Sequence, residues 1–213
     1  DGTATYFREY LRDYMKKWVE ENKKPDGTDY DIYKDGLKIY TTIDSRMQLH
    51  AETAVTAHMA NLQEEFFNQS KDNKNAPFVN ISSVETQRIL NQAMKSSNRW
   101  AVMKAMDKSE EEIIKSFSEK TKMTVFSWKG EKDTLMTPLD SIRYYKHFLQ
   151  SGLMAMEPQT GNIKAWVGGI NYKYFQYDHV GQGARQVGST FKPFVYATAI
   201  EQLNMSPCDS IID

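Results

Sequence analysis

The chain is short of several things, and each shortage removes a class of explanation. It has a single cysteine, Cys208, so no disulfide can close within it and cysteine usage says nothing about redox compartment. Neither charge is in excess: 27 basic against 28 acidic residues leave a net charge of −1, which is not the electrostatic footprint of a nucleic-acid binder. No apolar run approaches membrane-spanning length. No signal-peptide pattern is legible, as would hold for an internal segment of a longer protein or for a cytosolic one. The four histidines are scattered. His50 and His58 share one expected helix but have no neighbouring ligands, so no structural zinc site is expected. What is present suffices for a core, with 40% hydrophobic and 12% aromatic residues over 213 positions, enough for one large or two small domains.

Periodicity organises the chain. Tyr6, Phe7, Tyr10, Leu11, Tyr14, Met15 and Trp18 recur at helical spacing, and the polar run Lys23–Gly27 ends that helix. Leu37–Ile43 alternates and is rich in β-branched residues, which predicts a strand. Asp44 then caps a helix carrying Met47, Ala51, Ala54, Val55, Leu62 and Phe66. After the polar break at Asn68–Asn75, Val84–Met106 reads as helix interrupted near Ser96-Ser97-Asn98. Ser109-Glu-Glu-Glu112 has the form of a capping box; its three acids suit a solvated helix start better than paired catalytic carboxylates. Met123–Trp128 and Thr134–Met136 flank a turn at Lys129-Gly130. Pro138 opens a helix reaching about Leu149. Leu153–Glu157 and Ile163–Val167 flank the turn Pro158-Gln-Thr-Gly161, a β-hairpin. Gly168-Gly169 and Gly181-x-Gly183 are expected to serve turns. Tyr172, Tyr174, Phe175 and Tyr177 either line a groove or cover the sheet.

One tetrad carries chemistry. Ser189-Thr-Phe-Lys192 is the only Ser-x-x-Lys in the chain. On a helix, residues three apart share a face. A serine hydroxyl is a weak nucleophile at neutral pH, and a lysine whose ammonium is disfavoured by burial can take its proton. Pro193 fits the first helical turn, where its missing N–H has no partner to lose. The apolar run from Phe194 to Ile200 continues the helix. Ser189 would then sit at a helix N-terminus, where free N–H groups favour developing negative charge. Taken alone, the tetrad is equally the signature of a serine that merely caps a core helix.

The surrounding residues weigh for catalysis. Arg185-Gln-Val-Gly-Ser-Thr-Phe-Lys-Pro-Phe-Val-Tyr196 closely resembles the nucleophile segment of class A penicillin-binding proteins. Gly36–Asp44 with Met47-Gln48 resembles that family's linker strand and helix start, and Met154–Gly161 with Ala165–Gly169 resembles the first β-hairpin of its transpeptidase domain. The three stretches occur in the family's order. The chain departs from the pattern at Val187, where proline is usual. Neither a Ser-x-Asn nor a Lys-Thr-Gly element follows Ser189, although serine acyl-transferases of this kind use both.

The resemblance implies an α+β protein in three parts: a helical connector over 1–35 following a glycosyltransferase module, a linker strand and helix with a small helical and β-containing insert over 36–151, and over 152–213 the first β-hairpin and nucleophile helix of a transpeptidase-type fold, incomplete here. Some members of that family carry an oligonucleotide-binding-like fold near the insert. The resemblance further implies a D,D-transpeptidase that cross-links peptidoglycan in the intact protein, with Ser189 as nucleophile and Lys192 as its base. Its partners would be stem peptides, β-lactam antibiotics and cell-envelope regulatory proteins. Its place would be the periplasmic side of the cytoplasmic membrane, with an anchor outside these residues. By themselves these residues are expected to be inactive. Two alternatives stand beside that reading. One is a β-lactam sensor or β-lactamase with the same tetrad, against which the linker stretch Gly36–Asp44 argues. The other is a noncatalytic docking module for envelope partners, for which the insert is the best support.

Overall fold

Aspartate and serine residues punctuate the first half of the chain, and the computed structural model, which describes residues 2–73 and 75–210, shows helices starting where they stand. Helix α1 runs Thr5–Glu21. Helix α2 runs Ser45–Ser70, and the Asp44 carboxylate accepts the N–H groups of Arg46 and Met47, satisfying two of the first-turn donors that every helix leaves open. Helices α3 (Ser83–Lys95), α4 (Asn98–Ala105) and α5 (Glu110–Ser116) are capped by Ser82, Ser97 and Ser109, the last in the expected reciprocal capping box with Glu112. Thr137 caps α6, Pro138–Lys146, with proline in its first turn.

The chain divides into two compact units, residues up to Gly181 and those from Gln182. The first unit holds α1–α6 and two antiparallel hairpins. Strands β1 (Thr121–Val125) and β2 (Lys132–Met136) pair with Met123 opposite Thr134. Strands β3 (Leu153–Met156) and β4 (Ile163–Val167) pair with Ala155 opposite Ala165, and the register shifts beyond Ala155.

A two-stranded hairpin is marginal alone in water, and here side chains supply the missing neighbours. Gln48 of α2 accepts the Trp166 N–H (2.7 Å) and donates to the Trp166 carbonyl (2.9 Å), so a primary amide occupies the outer edge of β4 as a strand would. Fifteen residues on, Gln63 repeats the device: it accepts from Leu149 N–H (2.8 Å) and donates to the His147 carbonyl (2.9 Å). Tyr145 and Tyr144 do the same for Phe126, one hydroxyl meeting its N–H and the other its carbonyl. Around these clamps Ala51, Val55 and Met59 of α2 pack with Phe126, Phe148, Ala165, Val167 and Ile170. A second cluster, Met94, Trp100, Ile113 and Phe117, joins α3, α4 and α5.

Two expectations change. Leu37–Ile43 forms no strand: Thr42 Oγ1 donates to Ile163 and Asp44 N–H to Lys164, but Gln48 already holds the edge at Trp166, so the chain turns into α2 instead of pairing on. Gly168 and Gly169 are required by close approach, whereas Gly181 lies in a turn as expected. A Cβ on Gly168 would strike the Asp178 carboxylate, and one on Gly169 the Tyr6 hydroxyl; at Gly181 it would lie 3.1 Å from the Trp166 ring. Of the aromatic quartet, Tyr174 and Phe175 cover the core, Tyr172 meets Tyr6 edge-on at 5.0 Å, and Tyr177 is exposed.

The second unit begins in a segment without regular secondary structure. A 3₁₀ turn over Gly188–Phe191 runs directly into α7, Lys192–Leu203, with Pro193 in its first turn. Asn204 ends the helix in the left-handed conformation, φ 50°, and donates its N–H to the Ala199 carbonyl. No helix among the described residues is long and apolar enough to cross a membrane.

Candidate active site

Ser189 is the second residue of the 3₁₀ turn and Lys192 the first of α7. The Lys192 N–H donates to the Ser189 carbonyl. In a 3₁₀ turn residues three apart eclipse one another, so the two side chains leave the same edge of the chain. The turn enters through Gly188 at φ 52°, a left-handed conformation that favours glycine. The Thr190 hydroxyl donates to the Val187 carbonyl and its N–H to the same oxygen at 3.2 Å, holding the turn closed from within.

The expected helix start is therefore present, with one adjustment: Ser189 precedes the α-helix in a tighter turn instead of opening it. Neither tetrad side chain is covered. Ser189 and Lys192 are both exposed, and no hydrogen bond joins Ser189 Oγ to Lys192 Nζ among the described residues. Helix α7 presents apolar side chains outward as well, Phe194 at 65% and Leu203 at 69% exposure. The ring of Phe191, within the tetrad, meets that of Phe194 at 5.4 Å, tilted by 33°. The arrangement supplies a hydroxyl and an amine on one edge; acyl transfer further needs a held carbonyl and oxyanion donors.

One literal Ser-x-Asn does occur earlier, Ser96-Ser97-Asn98, but it belongs to the α3–α4 junction. The Ser97 hydroxyl there accepts the Trp100 N–H at 3.3 Å as a helix cap. Asp178 is a polar residue that pattern reading passed over. Its buried carboxylate accepts from the Trp166 indole (3.0 Å) and from the N–H groups of Val180 and Gly181, fixing the segment that follows β4. Tyr6, read from sequence only as part of a helical stripe, has a further role: its hydroxyl donates to the Phe175 carbonyl at 2.6 Å, and burial pushes its pKa well above the usual phenol range. No group of three His, Cys, Asp or Glu gathers among the described residues in a way that would hold a metal.

Comparison with known proteins places the chain. Residues 73–149, from just after α2 to just after α6, match the model of the penicillin-binding protein middle domain. Penicillin-binding protein 1A of Rickettsia bellii is 26% identical over 219 residues, 93% of this chain and 26% of the relative. The chain is related to the class A penicillin-binding proteins. Penicillin-binding protein 1A of Neisseria flavescens is 25% identical over 94% of this chain and 27% of its own length. A shorter stretch of 52 residues, 24% of this chain and 6% of the relative, is 40% identical to penicillin-binding protein 1A of Pseudomonas aeruginosa. The chain spans about a quarter of the length of the curated relatives it matches. No solved structure matches it significantly. The helical and β-containing region read from sequence as an insert is the part that the middle-domain model of penicillin-binding proteins covers.

Proposed function

We propose that these residues belong to a peptidoglycan-cross-linking D,D-transpeptidase, in which Ser189 is the acylated nucleophile and Lys192 its general base. The observation that carries this reading is the unique Ser-x-x-Lys at the junction of a 3₁₀ turn and a helix, in a chain related to penicillin-binding proteins 1A. Ser189 Oγ attacks the carbonyl between the two terminal D-alanines of a stem peptide, and Lys192 Nζ takes the hydroxyl proton. The new ester forms as the peptide bond breaks, and the terminal D-alanine leaves with a proton on its amine. An amine from a second stem peptide then attacks the ester and regenerates the serine. The Ser189 N–H is placed to serve as one oxyanion donor; the second comes from outside these residues. A β-lactam acylates the same oxygen by opening its ring. The setting is the periplasmic face of the cytoplasmic membrane, with stem peptides as substrates and envelope proteins as regulators.

The test is covalent labelling of the full-length protein by a fluorescent penicillin. Ser189→Ala is expected to abolish the label, and Lys192→Ala to slow acylation by about 10²–10⁴-fold, the usual contribution of general-base catalysis. Label retained on the Ser189→Ala protein would overturn the assignment. A second reading, a docking module without chemistry of its own, draws on the middle-domain match at residues 73–149, and an unlabelled wild-type protein would favour it.

A further inference from the structure

A small cleft of about 180 Å³ lies in the first unit where the start of α1, the middle of α2 and the end of β4 meet, and the acyl-transfer reading makes no use of it. Its volume is below that of drug-sized sites, about 300–1,000 Å³, so an occupant has few heavy atoms. Val55, Val167 and Ile170, all buried, line it together with Glu52, Thr56 and Asn171. Glu52 is the one charged residue in that lining.

Glu52 is half-buried and held in place. Its Oε1 accepts the Ala4 N–H at 2.7 Å and the Gln48 side-chain amide at 2.8 Å. Gln48 is fixed in turn by its clamp on Trp166. Both donors to Glu52 are neutral. No ion pair among the described residues reaches the carboxylate. Its second oxygen, Oε2, has no partner among those residues and is not sealed in the core. The cleft therefore combines a fixed, uncompensated carboxylate with an aliphatic floor. A charge partly withdrawn from water gains most from an opposite charge beside it.

We propose that this cleft binds a short-chain primary amine as its ammonium ion. The three N–H donors of the ammonium meet Glu52 Oε2 and the side-chain oxygens of Thr56 and Asn171, and the alkyl chain lies on Val55, Val167 and Ile170. An anion would be repelled by Glu52. A hard metal cation needs six or more oxygens and would find hydrocarbon on one side. An uncharged alkyl molecule would leave the carboxylate uncompensated. Because α1, α2 and the end of β4 all contribute to the lining, the amine would also fasten the first helix to the hairpin, and binding to the folded state alone raises its stability.

The probe is n-butylammonium chloride titrated into the 213-residue chain and followed by methyl and backbone NMR, with sodium chloride matched throughout. Saturable shifts are expected at Val55, Val167, Ile170 and Glu52, with a rise in the unfolding midpoint. Ethylammonium should bind more weakly, by about fourfold for each methylene removed, and n-butanol should bind at least about tenfold more weakly than n-butylammonium. Glu52→Gln keeps an oxygen for the Ala4 N–H and removes the charge, so it should weaken butylammonium binding on the order of tenfold or more. No saturable shift, shifts confined elsewhere, butanol matching butylammonium, equal affinity for the ethyl and butyl ions, or wild-type affinity in Glu52→Gln would each overturn the proposal. Should Glu52→Gln fail to fold, the butanol and chain-length comparisons on the wild-type protein decide the matter alone.

Discussion

Single side chains do the work of missing strands in this protein. Gln48 and Gln63 are both wholly buried in α2, and each satisfies a backbone N–H and a carbonyl elsewhere. Gln48→Leu keeps the volume and strands both polar groups of Trp166. It is expected to cost about 1–3 kcal/mol in chemical denaturation, whereas Gln87→Ala on the exposed face of α3 should stay within about 0.5 kcal/mol. Equal effects would show that the clamp contributes nothing. The Tyr6–Gly169 approach allows a sharper experiment. Gly169→Ala is expected to destabilise by about 1–3 kcal/mol through overpacking, because its Cβ meets the Tyr6 hydroxyl. Tyr6→Phe removes that oxygen, so the double variant should cost less than the sum of the singles, a coupling of about 0.5 kcal/mol or more. Strict additivity would place the strain elsewhere.

Among elements, α2 starts at a titratable N-cap, Asp44. The Met47 and Arg46 N–H groups hold the Asp44 carboxylate below its ordinary pKa. A lowered folded-state pKa means that the stabilisation is fully present above the unfolded value, about 3.9, and is lost as pH falls through the folded one. Asp44→Asn keeps a capping oxygen without the charge. Thermal unfolding between pH 6 and pH 2.5 should show a shallower acid limb for Asp44→Asn than for wild type; superimposable limbs would remove the charge from the account. The elements themselves were largely legible. Caps at Asp44 and Ser109, the proline that opens α6, the break at Ser96-Ser97, and the turn ending at Gly161 are local events written in neighbouring residues. The strand expected over Leu37–Ile43 was not, because alternation reports a residue's preference and not whether a sheet edge is vacant. The glutamine clamps were invisible for a related reason: a polar residue on a helix face gives no sign that it meets a backbone amide more than eighty residues away.

At the scale of the whole molecule, the two residues with the clearest chemistry lie in the unit with the least burial. Helix α7 has no buried residue, and Ser189 and Lys192 are exposed. A nucleophile and its base accelerate little without a fixed carbonyl and oxyanion donors, and loss of a single donor alone costs about 10²–10³ in rate. No Lys-Thr-Gly follows Ser189 in these residues. Incubated with a fluorescent penicillin, the 213-residue chain is therefore expected to show no adduct by intact mass. A stoichiometric adduct on Ser189 would mean that the tetrad is preorganised by what is already present.

The sequence by itself determined the helix caps, the two hairpins, the family likeness and the identity of the tetrad, because each depends on residues within a few positions of one another. Tertiary structure alone decided that Gln48 and not a strand closes β4, and that Gly169 exists for Tyr6. Those outcomes depend on which distant backbone groups remain unpaired once the chain has packed, and a buried polar group must find its partner wherever the fold leaves one.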